Sequence, residues 1–193
     1  GLYLTNAGST YSTEIGELRR VALDDGSTAA LNTDSKVEVA FTKDVRVVRL
    51  DRGEAWFEVR KDTTRPFEVE AGDIRVRAVG TAFAVRLRAE GTEISVTEGV
   101  VEIWKIGERT TRMRLRAGGT AIVSDGSSIV REPPEPDAVE RSLAWRTGKI
   151  DLVGTRVKDA ITDINRYNKR KVILADPSLA AEEFDGVFRT NED

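Results

Sequence analysis

Two residue types are missing altogether: the 193-residue chain has no cysteine and no histidine. Without cysteine there are no disulfides, no thiolate metal sites and no thiol nucleophiles. Without histidine the commonest general base and the commonest metal ligand are gone. A turnover enzyme of the usual hydrolase or metal-dependent kind is therefore not expected, and no cofactor or metal is assigned. No run of residues approaches the ~20 apolar positions a membrane helix needs. The opening residues, Gly1-Leu2-Tyr3-Leu4-Thr5, lack the basic and apolar regions of a signal peptide. Any anchor or export element is expected upstream. An excess of one charge is also lacking. With 30 basic against 33 acidic residues the net charge is −3, which argues against nucleic acid as the main partner.

What is present is short-period alternation. Val37, Val39 and Phe41 alternate with Lys36, Glu38 and Ala40, and Ile74, Val76 and Ala78 alternate with Arg75 and Arg77. This puts one set of side chains on one face of a strand. About a dozen such short strands follow one another between residues 14 and 130, with no helical period among them. Asp24-Asp25-Gly26-Ser27 and Asp125-Gly126 read as hairpin turns. Glycine corners recur at Gly53, Gly80, Gly99 and Gly118, as in a short irregular stack of β-coils. A sandwich built from hairpins fits the same pattern. The central phrases are Leu50-Asp51-Arg52-Gly53-Glu54-Ala55-Trp56-Phe57-Glu58-Val59 and Ala78-Val79-Gly80-Thr81-Ala82-Phe83-Ala84-Val85. Each reads as strand, glycine corner, strand.

The organisation expected is a polar lead-in at 1–13, an all-β domain at 14–130, a stiff extended Pro-rich linker at 131–140 and a small α+β module at 141–193. In that module Trp145 to Val153 reads as a strand. Val157, Ala160, Ile161, Ile164 and Tyr167 form one face of a helix with Thr155 as its cap, and Asp159, Thr162, Asp163 and Arg166 lie elsewhere on it. Lys169, Arg170 and Lys171 suit its negative end. Val172 to Ala175 reads as a second strand, giving a βαβ-like unit, and Phe184 to Phe188 as a third.

Six ordered phrases resemble the periplasmic part of the FecR family of transmembrane sigma-factor regulators. They are Thr13-Glu14-Ile15-Gly16-Glu17; Leu23 to Ser27 with Leu31-Asn32; Leu50 with Gly53 to Val59; Arg65 to Val69; Gly80 to Val85; and Val96 to Val101. Trp145, Gly148, Ile150, Asn165 to Asn168 and Phe184 to Phe188 are similar to that family's C-terminal module, which is itself like the secretin/TonB short N-terminal domain. The module usually continues further, so it is expected to be cut short here.

The resemblance implies the periplasmic sensor part of an inner-membrane anti-sigma regulator in a Gram-negative bacterium. A ligand-loaded TonB-dependent outer-membrane transporter, typically for iron-siderophore uptake, would present its signalling domain to this part. The signal would pass to an extracytoplasmic-function sigma factor through an absent membrane helix and cytoplasmic segment. An exported β-scaffold that binds glycan or another envelope component is the alternative.

Some members of that family cut their own chain at a Gly-Thr bond, which corresponds here to Gly80-Thr81. The chemistry needs no His or Cys: the Thr hydroxyl attacks the preceding carbonyl, and water opens the resulting ester. A strand bend with a buried Thr is the plainer reading. Asp24, Asp25, Glu54 and Glu58 are read as a solvated hairpin tip and an outward strand face. Trp56, Phe57, Phe67 and Phe83 are read as core. The basic run from Arg109 to Arg116 is read as a charged edge strand. The partner surface is placed on Ile161, Ile164 and Tyr167 with a sheet edge at Val172, Ile173 and Leu174, either open to an added strand or covered internally.

Overall fold

The computed structural model describes residues 8–108, 112–124 and 129–190. The Asp125-Gly126 turn and the start of the basic run, Arg109 to Thr111, lie outside the described residues, as does the lead-in before Gly8.

The chain shuttles between two sheets. β1 (Ser9–Ser12) starts the first, and the hairpin of β2 (Arg19–Ala22) and β3 (Thr28–Leu31) starts the second. β4 (Lys36–Phe41) and β5 (Arg46–Arg52) return to the first; β6 (Glu54–Glu58) crosses to the second. β7 (Phe67–Ala71) with β8 (Ile74–Ala78) and β9 (Ala82–Arg88) with β10 (Gly91–Glu98) repeat the alternation. So do β11 (Val100–Lys105) with β12 (Met113–Arg116) and β13 (Thr120–Ser124) with β14 (Ile129–Arg131).

Each sheet has seven strands, ordered β1-β4-β5-β7-β8-β11-β12 and β14-β13-β10-β9-β6-β3-β2, so both grow in the order of the sequence. That directional growth is what a stack of coils would show. The neighbours are nevertheless antiparallel except for β5 and β7, which are parallel because β6 intervenes on the other sheet. The winding of the described residues therefore proceeds largely by antiparallel neighbours. Residues expected to be lead-in include an edge strand, since β1 pairs with β4.

The main core draws on both sheets. Val37, Val48, Leu50, Phe57, Phe67, Ile74, Val76, Phe83, Val85, Ile94 and Ile103 are buried there, and Phe57 stacks at tilted angles on Phe67 and Phe83 at 5.7 and 5.6 Å. Apolar burial of this kind stabilises by roughly 1.5–3 kcal/mol per large side chain. The first sheet turns a ladder of charges outward. Arg49 bridges Glu38 and Glu70, Arg75 and Arg77 reach Glu68, and Arg112 and Arg114 reach Glu102.

The remaining elements are α1 (Pro136–Ser142), a 3-10 turn (Ala144–Thr147), β15 (Lys149–Arg156), α2 (Val157–Tyr167), a second 3-10 turn (Pro177–Ala181) and β16 (Glu183–Arg189). Four expectations change here. The linker is not extended throughout, because Pro136 opens a helix, where its missing N–H costs nothing. Trp145 sits in a 3-10 turn closed by Gly148 at φ 76°, and the strand begins only at Lys149. Thr155 stays within β15, leaving Arg156 at the cap position of α2 with no side-chain cap. Val172 to Leu174 form no strand; the Asn165 amide pins Val172 by two hydrogen bonds, donating to its carbonyl at 2.9 Å and accepting from its N–H at 2.7 Å. The unit is thus an antiparallel β15–β16 pair with a helix between, not two parallel strands. At the end of α2, Lys171 Nζ donates to the carbonyls of Asn165 and Asn168, which fits the sign of the helix dipole.

Candidate functional site

The second sheet is covered on both faces along β6 and β9. Ala55 and Phe57 point into the main core, while Glu54 and Trp56 point the other way and are buried too. Phe83 and Val85 likewise face inward, with Ala82 and Ala84 outward. On that outer face Ala30, Trp56, Ala82 and Ala84 meet Val139, Leu143, Trp145, Ile150, Leu152, Ala160 and Tyr167 in a second apolar cluster. The small alanines let the C-terminal elements approach closely. The two parts are packed together.

A buried carboxylate sits in this joint. Glu54 Oε1 accepts from the Trp145 indole N–H at 2.9 Å. Its Oε2 accepts from Asn32 Nδ2 and Arg166 Nη2, both at 2.9 Å. Asn32 Nδ2 donates as well to the Tyr167 hydroxyl at 2.8 Å, and the Thr33 hydroxyl donates to the Arg166 carbonyl at 3.1 Å. Nearby, Arg86 pairs with Asp163 at 2.9 Å. Burial opposes charge on Arg86, but Glu54, Asp163 and Glu93 outweigh it and raise its pKa. Burial pushes the Tyr167 hydroxyl up to about 12; the Arg166 charge counters this and the Glu54 charge adds to it. Every oxygen of Glu54 is engaged by donors, so it is placed to hold two elements together and not to move a proton.

A cleft of about 400 Å³ opens beside the joint, lined by Arg52, Arg86, Arg166 and Lys171 among others. Its cations are already engaged: Arg52 by Asp34, Arg86 by Asp163, Arg166 by Glu54 and Lys171 by the helix end. Among the described residues no group of three or more acidic side chains could hold a metal ion. No helix among them is long and apolar enough to cross a membrane.

Of the residues singled out from the sequence, Gly80 turns the chain between β8 and β9 at φ +66°. Thr81 follows it, buried, with its carbonyl bound by the Val59 N–H at 2.8 Å and its hydroxyl without a hydrogen-bond partner. Tyr167 and Ile164 face the second cluster, Ile161 is half-buried, and Leu174 is partly covered. Val172 and Ile173 are exposed, Ile173 at 84%. Helix and segment are therefore not one continuous surface.

The carboxylates read as solvated are divided by the structure. Asp24 and Glu58 are exposed, whereas Glu54 is the buried centre of the joint and Asp25 is paired with fully buried Arg46 at 2.6 Å. Asn32, Arg46, Asp163 and Arg166 escaped functional notice. A signal for the covered face was present: Ala55-Trp56-Phe57 and Ala82-Phe83-Ala84-Val85 are continuous apolar runs, which mark strands buried on both sides.

No tryptophan offers an open ring. Arg146 lies over Trp56 at 4.5 Å, Trp145 is buried, and Trp104 is held between Arg77 and Arg112 at 5.3 and 4.5 Å.

Residues 9–102, from β1 into β11, match the model of the family described as FecR protein. No curated protein matches the chain. Two crystal structures of a protein from Parabacteroides distasonis ATCC 8503, described as a "putative anti-sigma factor" and determined at 2.50 and 1.65 Å, are similar to it at 26% identity. Each superposes with a TM-score of 0.78, covering 96% and 95% of this chain respectively and 86% of the other. The likeness thus runs past the family match into the C-terminal elements.

Proposed function

We propose that the chain is the periplasmic sensor part of a FecR-type anti-sigma regulator. The observation that carries this is the structural likeness, over 96% of the chain, to the protein described as a "putative anti-sigma factor", joined to the FecR match at 9–102. The site chemistry agrees in kind. Its buried carboxylate is saturated by donors from both parts of the chain, which suits a protein that transmits contact and not one that turns over substrate.

In this reading the chain lies on the periplasmic face of the inner membrane of a Gram-negative bacterium. It receives the signalling domain of a TonB-dependent outer-membrane transporter, with iron-siderophore as the typical input, and acts on an extracytoplasmic-function sigma factor through a segment outside this sequence. The C-terminal elements play the part of the short N-terminal-like module, and 14–130 that of the all-β domain, which we read as an open sandwich. The exposed side chains of Val172 and Ile173 supply apolar contact surface for the transporter domain, whereas the inward-turned Ile164 and Tyr167 anchor the module that presents them. The glycan alternative is disfavoured by the covered tryptophan rings, because sugar stacking needs an open aromatic face.

The test is calorimetric titration of the chain with the signalling domain of a transporter encoded beside it. Binding that an Ile173→Asp change weakens at least tenfold is expected; no heat at tens of micromolar protein overturns the reading.

A self-processing step is a second reading, favoured by the unpartnered Thr81 hydroxyl next to the left-handed Gly80. Thr81 Oγ would add to the Gly80 carbonyl carbon, and its proton would pass to the departing Thr81 nitrogen as the C–N bond breaks. Water would then hydrolyse the Gly80–Oγ ester to a free carboxylate and restore the hydroxyl. The β8 and β9 halves would stay joined through their sheets. On a denaturing gel the chain should give two fragments, retained in Thr81→Ser and lost in Thr81→Ala; a single full-length band from purified wild-type protein refutes it.

A further inference from the structure

Beyond Glu135 the chain is joined to the two sheets by side chains and by no backbone ladder. Among the described residues, the last backbone bonds into the sheets come from the N–H groups of Glu132 and Glu135. They reach the Thr120 and Gly118 carbonyls, both at 2.9 Å. From Pro136 onward the backbone bonds close on themselves. β15 pairs with β16, the Val157 N–H donates to the Glu182 carbonyl at 2.8 Å, and the Thr190 N–H donates to the Gly148 carbonyl at 3.0 Å. Residues 136–190 are thus one hydrogen-bonded unit resting against another.

What crosses the joint is mostly polar. Glu54 reaches Trp145 and Arg166, Asn32 reaches Tyr167, Thr33 reaches the Arg166 carbonyl, and Arg86 pairs with Asp163. Arg146 lies over the Trp56 ring at 4.5 Å. Water can take the place of such partners, so parting them costs less than parting apolar surfaces. The buried apolar share given by the sheet is Ala30, Ala82, Ala84 and Trp56, with Leu18 partly buried beside them. Three of these are alanines, whose burial contributes little. No residue of 136–190 belongs to the main core between the sheets. That core stays whole when the unit departs, and the bared second sheet then faces water on one side, as antiparallel sheets do.

We propose that residues 136–190 are a latch, which opens from the β domain as one unit, pivoting after Glu135, while both seven-stranded sheets stay folded. Side chains from distant parts of the sequence hold it shut, and its opening is a sub-global step of lower free energy than unfolding of the sheets. Opening uncovers Glu54, Trp56, Trp145 and Tyr167 together, a face that the closed state hides. The inference goes beyond the regulator reading and does not depend on it.

Native-state hydrogen exchange on the 193-residue chain tests it. Amides of the Trp145 turn, β15 and α2 are expected to exchange through one opening, at least about tenfold more frequent than that of β8 and β10. Ile74→Val, in the main core, should speed β8 and β10 about two- to tenfold. It should leave β15 and α2 unchanged, because the sheets are still folded when the latch is open. Asp163→Asn removes one tie, while Arg86 keeps Glu54 and Glu93 as counter-charges. It should speed the Trp145 turn, β15 and α2 by a common factor. In Trp104→Phe the two remaining tryptophans, Trp56 and Trp145, both lie at the joint. Their emission should shift to the red at a lower urea concentration than the loss of strand circular dichroism. If Ile74→Val speeds both sets of amides alike, the chain is one cooperative body and the proposal is overturned. Asp163→Asn speeding α2 alone means a fraying helix, and coincident emission and dichroism mean no separate opening; either overturns it as well.

Discussion

The indole N–H of Trp145 donates to Glu54 Oε1 at 2.9 Å, joining residues 91 positions apart. The partner atom, Oε2, takes Asn32, just past the end of β3, and Arg166 from α2. One carboxylate therefore ties the β domain to the 3-10 turn and to the helix at once.

Replacing Glu54 by Ala removes the acceptor of the buried Trp145 N–H, of Arg166 and of one of the two Asn32 amide bonds. The cost expected is about 2–4 kcal/mol, because the Trp145 N–H is left buried and unpaired and Arg166, one-fifth exposed, loses Glu54 as a counter-ion. Glu54→Gln keeps an acceptor for Trp145 and should cost roughly half as much. Urea titration with tryptophan emission as the signal checks both. If Ala and Gln behave alike, the lost Arg166 ion pair accounts for the cost and the Trp145 bond contributes little.

Arg46 should be the most sensitive charged position within the β domain. Its guanidinium is fully buried, pairs with Asp25 at 2.6 Å and donates to the carbonyls of Arg65 and Arg60 at 2.8 and 2.9 Å. Burial works to raise the Asp25 pKa, but hydrogen bonds from Ser27 and Arg46 outweigh it and leave the pKa below 3.8. A lowered carboxylate pKa contributes stability that is present above the unfolded value and lost as pH falls through the folded one. Stability should thus decline below about pH 4, and Asp25→Asn should be less stable at neutral pH with a shallower acid limb. Acid titrations of the two proteins that run parallel would contradict this.

These two buried charges also show where sequence reading stops. Strand positions were legible because alternation such as Ile74-Arg75-Val76-Arg77 separates an inner from an outer face. The helix was legible for the same reason at another period, and the Asp24 to Ser27 turn from its Asp-Gly pair. Arg46 and Glu54 look like surface residues in the linear text, since their burial depends on loops and elements up to 112 positions away. The strand read at Val172 to Ala175 was lost to a side chain: Asn165 supplies the donor and acceptor that a neighbouring strand would have offered. The choice between coil stack and hairpin sheets was beyond periodicity altogether. Both give alternating strands with glycine corners, and only the strand directions differ.

Thr81 lends itself to a substitution with an unusual sign. Its hydroxyl is buried and unpartnered, so it contributes desolvation cost with no hydrogen bond in return. Thr81→Val keeps the branched shape and removes that cost. It should leave stability unchanged or raise it by up to about 1 kcal/mol. A loss of more than about 1 kcal/mol in urea would show that the hydroxyl has a bonded partner, such as a buried water.

Tyr167 offers a test of the joint from the alkaline side. Burial, countered by the Arg166 charge and reinforced by that of Glu54, lifts its hydroxyl from 10.0 to about 12. In the unfolded chain the phenol ionises near 10, so between about pH 10 and 12 the folded state holds a proton that the unfolded state has released. Stability from this group is complete below pH 10 and falls as pH rises toward 12, by about 2–3 kcal/mol in total. Tyr167→Phe removes the titration together with the hydrogen bond from Asn32, costing about 1 kcal/mol at neutral pH. The two proteins should therefore converge in stability as pH passes 10 and change order before pH 12, because only the wild type loses ground from this side chain. Urea midpoints measured at half-unit steps from pH 8 to 11.5 decide it, and a constant gap across that range would mean that Tyr167 titrates in the folded protein as it does in the open chain.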